Sequence, residues 1–197
     1  MGKLLLIACL SLSCNVQAAP WEDPYLDHVK DLDSATLSAM HRDGDMPATV
    51  ELSRRLFVAG VYPEAIRLTS LAAAQGIRAG HHYLGMMYRL CHASCRNLTR
   101  AIPELEKSAA LGHPLSHEAL ADIYYGDFPG VPKDLARARR HYIAAAEQGV
   151  GSAQLTAADM LCRGIGGERN VAEGRKWVQR LNETMTHSMD NEDVGCD

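Results

Sequence analysis

The sequence predicts an all-α protein, a solenoid of four helix-turn-helix units behind an N-terminal capping helix. Three observations carry that prediction. The first is a recurring helix end, seen as Ala72-Ala73-Ala74-Gln75-Gly76, Ser108-Ala109-Ala110-Leu111-Gly112 and Ala145-Ala146-Glu147-Gln148-Gly149. Their glycines stand 36 and 37 residues apart, within the period range of stacked repeats. Each glycine suits the left-handed residue that ends a helix. The second is that other columns keep step. Leu52, Leu84, Leu120 and Ala157 align; four residues earlier lie the small Ala48, Gly80, Ser116 and Ala153. One residue later come the small Ser53, Gly85, Ala121 and Ala158, and four later the large Leu56, Tyr88, Tyr124 and Leu161. Small and large residues at this spacing describe a helix that approaches a neighbour closely on one side. The third is a second helix in each unit, marked by Ala65, Ala101, Ala138 and Gly174.

Along the chain, residues 1–18 read as a signal peptide. Lys3 precedes an apolar run over 4–13, and Val16-Gln17-Ala18 offers a cleavage site. Lipidation at Cys14 is the other reading, weakened because Ser11, three places upstream, stands where an aliphatic residue is usual. No stretch reaches the ~20 apolar residues of a membrane helix. Residues 19–45 form an N-terminal segment in which Asp33 or Ser34 caps a helix running to about His41, covering the apolar edge of the first unit. The repeats occupy 46–186, divided as 46–76, 78–112, 114–149 and 151–186. An acidic tail over 187–197 carries Asp190, Glu192, Asp193 and Asp197.

The chain holds 20 basic and 24 acidic residues, a balance that argues against nucleic acid and anionic membrane surfaces as partners. After cleavage four cysteines remain, which permit three pairings. Closeness favours Cys91 with Cys95 and leaves Cys162 with Cys196; two unpaired thiols at 91 and 95 are the bland alternative. The C-x3-C spacing lacks the second ligand pair of a closed zinc site.

The repeat columns resemble the Sel-one-like repeat, a relative of the tetratricopeptide repeat. The third unit carries the resemblance furthest, with Leu120-Ala121-x-Ile123-Tyr124, Gly130-Val131-Pro132-Lys133-Asp134, Ala138 and the helix end at 145–149. The second keeps Leu84-Gly85-x-Met87-Tyr88, and the fourth Gly164-x-Gly166 with Trp177; the first is degenerate, with a shorter loop. The resemblance implies antiparallel helix pairs stacked into a right-handed superhelix. Where the family places glycine and proline in the loop, the second unit has Cys91 and Cys95, so a disulfide there would shape the turn.

No catalytic signature is present: G-x-S-x-G, H-E-x-x-H, G-x-x-x-x-G-K-[ST] and S-x-x-K are absent. The glycines at 164, 166 and 167 lie in a helix-helix loop with no strand before them, so they turn the chain rather than cradle a nucleotide. His113 and His117 have metal-ligand spacing, but Pro114 sets His113 outside the helix, and the resembled family often has histidine there for structural reasons. His81 and His82 are consecutive and point to different faces. Asn97 and Asn182 sit in glycosylation acceptor patterns that match by chance. The expectation is a non-enzyme without metal or cofactor.

The first helix of each unit lines the concave side of a solenoid. Its outward positions are His82, Met86 and Arg89 in the second unit, Glu118, Asp122 and Tyr125 in the third, and Asp159 in the fourth. Tyr, Met and Arg are enriched at interfaces, so these residues are the candidate partner-binding set, with Phe128 beside Pro129 as a further contact. An ordinary solvated helix face is the bland alternative. The partner is a protein. Small exported proteins that this chain resembles accompany type VI secretion effectors, including phospholipase D-type lipases, which implies a periplasmic immunity protein that neutralises a toxic effector. The alternative is an envelope adaptor or signalling regulator using the same surface. A third reading, a ligand-binder or hydrolase-like relative akin to cysteine-rich family members that bind penicillin, expects a cysteine pair in every repeat, and this chain has one.

Overall fold

A computed structural model describes residues 25–91, 95–184 and 195–196 of the 197. The expected signal peptide over 1–18 and most of the acidic tail lie outside the described residues. Among those described, nine helices follow one another, beginning with α1 (Ser34–Arg42). The units are α2 (Met46–Val58) with α3 (Tyr62–Ala74), α4 (Arg78–Leu90) with α5 (Leu98–Ala110), α6 (Pro114–Tyr125) with α7 (Leu135–Glu147), and α8 (Gly151–Arg163) with α9 (Val171–Thr184). Each helix packs on the next, and α2 also touches α4 while α4 touches α6, which sets first helices side by side. The only bridge pairing described joins Phe128 to Val131 within a loop.

Both ends of each unit are built from repeated backbone devices. At the tight ends, Gly44, Gly76, Gly112 and Gly149 adopt φ of 73° to 89°, a region that strains any residue bearing a Cβ. The residue after each glycine returns its N–H to the preceding helix: Asp45 to Met40, Ile77 to Ala72, His113 to Ser108 and Val150 to Ala145. At the other ends the loops differ in length, being 59–61, 91–97, 126–134 and 164–170. All four nevertheless close with one hydrogen bond of 2.8 Å. The N–H of Val61, Asn97, Asp134 and Asn170 donates to the carbonyl of Leu56, Tyr88, Tyr124 and Leu161, the large column of the repeat. In the last three units that closing residue also begins the second helix, its side chain accepting the N–H of Arg100, Arg137 and Glu173 at 2.9 to 3.1 Å. The amide of Asn97, in an acceptor pattern for glycosylation, is thus engaged as a cap. Asp33 caps α1 through the N–H groups of Ala35 and Thr36.

The core falls into two clusters. One joins Leu26, Val29 and Leu37 to α2, α3 and α4, so the N-terminal segment covers the first unit; the other runs from α5 to α9. The small columns mark close approach: a Cβ on Gly80 would stand 2.6 Å from the Ala73 nitrogen, and one on Gly85 2.6 Å from the Leu105 side chain. Cys91 pairs with Cys95, and Cys162 with Cys196. The second bond explains why Gly174 breaks a column of alanines, since a Cβ there would stand 2.2 Å from the Cys162 sulfur.

Candidate protein-binding face

The face is built where α4, α6 and α7 meet. Arg89 projects from the last turn of α4 and donates through Nη2 to Asp122 Oδ2 on α6 at 2.8 Å. The other carboxylate oxygen accepts the hydroxyl of Tyr142, on α7, at 2.7 Å. Tyr142 is buried, and burial followed by the Asp122 charge pushes its phenol well above the ordinary range, so it stays a donor. Tyr125 stands 40 % exposed, edge-on to Tyr142, with the Lys133 ammonium 5.3 Å from its ring centre. Met86 lies one turn before Arg89, its sulfur 3.9 Å from Nη1. A charged, partly exposed network thus holds Arg89 and Asp122 in one geometry beside an exposed aromatic ring.

Glu118 and Asp159 extend the face toward α8. Glu118 accepts the Ser152 hydroxyl, and burial, then the neighbouring Asp122 charge, raises its carboxyl above the ordinary value. Asp159 pairs with Arg163 on its own helix at 2.7 Å, and burial raises it too.

Two residues of the expected set do not belong to an open face. His82 is only 6 % exposed, because the first turn of α6 lies across that part of α4. Its ring stacks on His113 at 4.1 Å, and its Nδ1 meets the Ser116 hydroxyl at 2.9 Å. Phe128 is half-buried: its ring closes over Gly126 and packs on the α5–α9 core, so it shapes its loop instead of standing free. The sequence reading missed Tyr142, Ser152 and Lys133. Tyr142 was accessible to it, lying four residues after the column residue Ala138 and so on the side of α7 that faces α6. The histidines with metal-ligand spacing are separated, since His113 turns to His82 while His117 meets His141. Among the described residues no three His, Cys, Asp or Glu side chains converge, and no described helix is long and apolar enough to cross a membrane.

Paired helices in series, with a preformed polar and aromatic patch on the first-helix side, define a protein-binding solenoid of the tetratricopeptide type. The chain belongs to the Sel1 repeat family, whose model matches residues 38–77, 114–150 and 151–181. The match includes the first unit, which the sequence columns make the degenerate one, and skips the second, where the Cys91–Cys95 loop stands. The chain is 31 % identical over 137 residues to an exopolysaccharide production negative regulator of Rhizobium meliloti, covering 63 % of this chain and 51 % of that protein. It therefore spans about half the length of that relative. Among solved structures, it resembles a protective antigen of uropathogenic Escherichia coli with the same repeat fold, at TM-score 0.68 and 26 % identity over 78 % of this chain and 33 % of that one. A Sel1 repeat protein from Oxalobacter formigenes shares the fold at TM-score 0.63 and 24 % identity, over 76 % of this chain and 44 % of that one.

Proposed function

We propose that this chain is an exported, non-catalytic adaptor or regulator that holds another protein on its first-helix face. The observation that carries the reading is the network of Arg89, Asp122 and Tyr142 with Tyr125 exposed beside it. Side chains already held in place lose little freedom on binding, and Arg and Tyr are the residue types that most often anchor interfaces. Two disulfides fit an oxidising compartment, in line with the expected signal peptide. Similarity to a negative regulator of exopolysaccharide production favours a regulatory role over immunity. The immunity reading, neutralisation of a lipase-type effector, rests on the family resemblance alone.

The test is affinity capture from envelope fractions of the native host after crosslinking, with wild type and the Arg89→Ala and Tyr125→Ala variants. Each substitution should weaken a purified complex by about 1–3 kcal/mol if the residue anchors it. A host envelope or signalling protein supports regulation; a toxic enzyme, with survival restored by co-expression, supports immunity. Equal capture by wild type and both variants removes this face from consideration.

A further inference from the structure

One pair of side chains outside the binding face remains without a role. His117 on α6 and His141 on α7 meet inside the third unit with their Nδ1 atoms 3.2 Å apart and ring centres 5.5 Å apart. Both residues are half-buried. Tyr124 stacks on His141 with an interplanar angle of 11°, which fixes the plane of that ring. Two neutral imidazoles face each other in this way when one Nδ1 carries a proton and the other accepts it, so one Nδ1 lone pair is already committed to a contact with an exchangeable proton.

We propose that His117 and His141 form an open, two-histidine site for a divalent late transition-metal ion, with Zn²⁺ as the representative case. A tetrahedral ion with metal–nitrogen bonds of about 2.0–2.1 Å separates two of its nitrogen ligands by roughly 3.3 Å. The observed 3.2 Å is that separation within the precision of the comparison. Entry of the ion replaces the N–H···N contact. The ring that carried the Nδ1 proton moves to its other neutral tautomer by exchange with water, and both rings tilt so that their lone pairs converge. Imidazole donors suit zinc, copper and nickel and exclude the hard magnesium and calcium ions. Glu147, whose charge reaches His117, favours a cation there, whereas Arg137 and Arg140, whose charges reach His141, oppose it. No third ligand converges among the described residues, so the remaining positions fall to water or to a donor from a bound partner. The site is therefore of moderate affinity, and the ion would tie α6 to α7.

Calorimetric titration of the oxidised, mature full chain with ZnCl₂ in a non-chelating buffer tests the proposal. One ion should bind per chain, with Kd on the order of micromolar. His117→Gln and His141→Gln, chosen to preserve side-chain size, should each weaken binding roughly tenfold or more, and the double variant should abolish the event. His28→Gln, at an exposed site elsewhere, should leave it unchanged. Circular dichroism verifies that the variants remain folded. The absence of saturable heat up to about 1 mM zinc, or a one-to-one event that survives the double substitution, overturns the assignment.

Discussion

Removing the Cys162–Cys196 bond should cost the protein about twice as much stability as removing Cys91–Cys95. The reason is loop length. The first bond spans 34 residues of chain and the second only 4. In the chain-entropy account a crosslink lowers unfolded-state entropy by a constant plus a term in the logarithm of loop length, giving about 3.8 kcal/mol for the longer loop and about 1.9 kcal/mol for the shorter. The longer bond also holds Cys196 where its carbonyl accepts two hydrogen bonds from the Arg175 guanidinium, at 2.9 and 3.2 Å. The perturbation is Cys162→Ala with Cys196→Ala, which keeps the buried positions apolar, set against Cys91→Ala with Cys95→Ala. Urea unfolding gives the totals, and amide hydrogen exchange locates them. Since stacked repeats couple chiefly to their neighbours, the first variant should lose protection in α8 and α9 before α2 and α3. Equal losses for the two variants, or a larger loss from Cys91–Cys95, would refute the reasoning.

Three further outcomes are expected. Gly174→Ala should destabilise by about 1–3 kcal/mol through overpacking against the Cys162 sulfur, and much of that cost should vanish when Cys162 and Cys196 are both alanine, as unfolding of the four variants can show. Burial, with the His113 and Arg89 charges adding to it, holds His82 well below the ordinary histidine value of 6.5. Its neutral form is therefore the one that the fold accommodates: stability is full above about pH 6.5 and falls as the pH drops below it, by up to about 1.4 kcal/mol per pH unit. Urea midpoints between pH 7.5 and 5 should show this slope, to which His117 and His141, also lowered chiefly by burial, add in the same direction. His82→Gln should reduce it by the His82 share without abolishing it. Tyr142→Phe should cost about 1.5–3 kcal/mol, the worth of a hydrogen bond to a charged acceptor, measured by the same unfolding assay.

The repeat architecture was legible because its constraints are local. Glycine at 76, 112 and 149 is demanded by backbone geometry alone, and the small columns through Gly80 and Gly85 by the approach of one adjacent helix. The face was less legible. Counting outward positions along α4 treats the helix as uniformly uncovered, but the start of α6 packs His113 and Ser116 onto His82, which is buried. Arg89 instead meets α6 through Asp122 and keeps 19 % of its side chain exposed. Phe128 looked unsupported for want of a visible neighbour, and its support is the missing side chain of Gly126 two residues earlier. Asp122 was correctly set on the face, but its fixation by Tyr142 depends on a helix 20 residues further on. The caps at Asn97, Asp134 and Asn170 were readable in principle, since cap-type residues recur there in step with the repeat.

The 2.8 Å bond that closes every loop, from the N–H of Val61, Asn97, Asp134 or Asn170 to the large column carbonyl, is indifferent to what lies between its ends. It separates two kinds of inheritance within one chain. The helices are bound by the stack and tolerate little change, whereas each loop hangs from a fixed clasp and can lengthen, shorten or acquire a crosslink without moving the next helix. The spread from the tight turn at 59–61 to the long excursion at 126–134 shows that freedom already in use. A new partner could therefore be acquired by rewriting loop text alone, and foreign peptides spliced between the exposed Pro129 and Gly130, beyond the packed Phe128, should be displayed without unstacking the helices on either side.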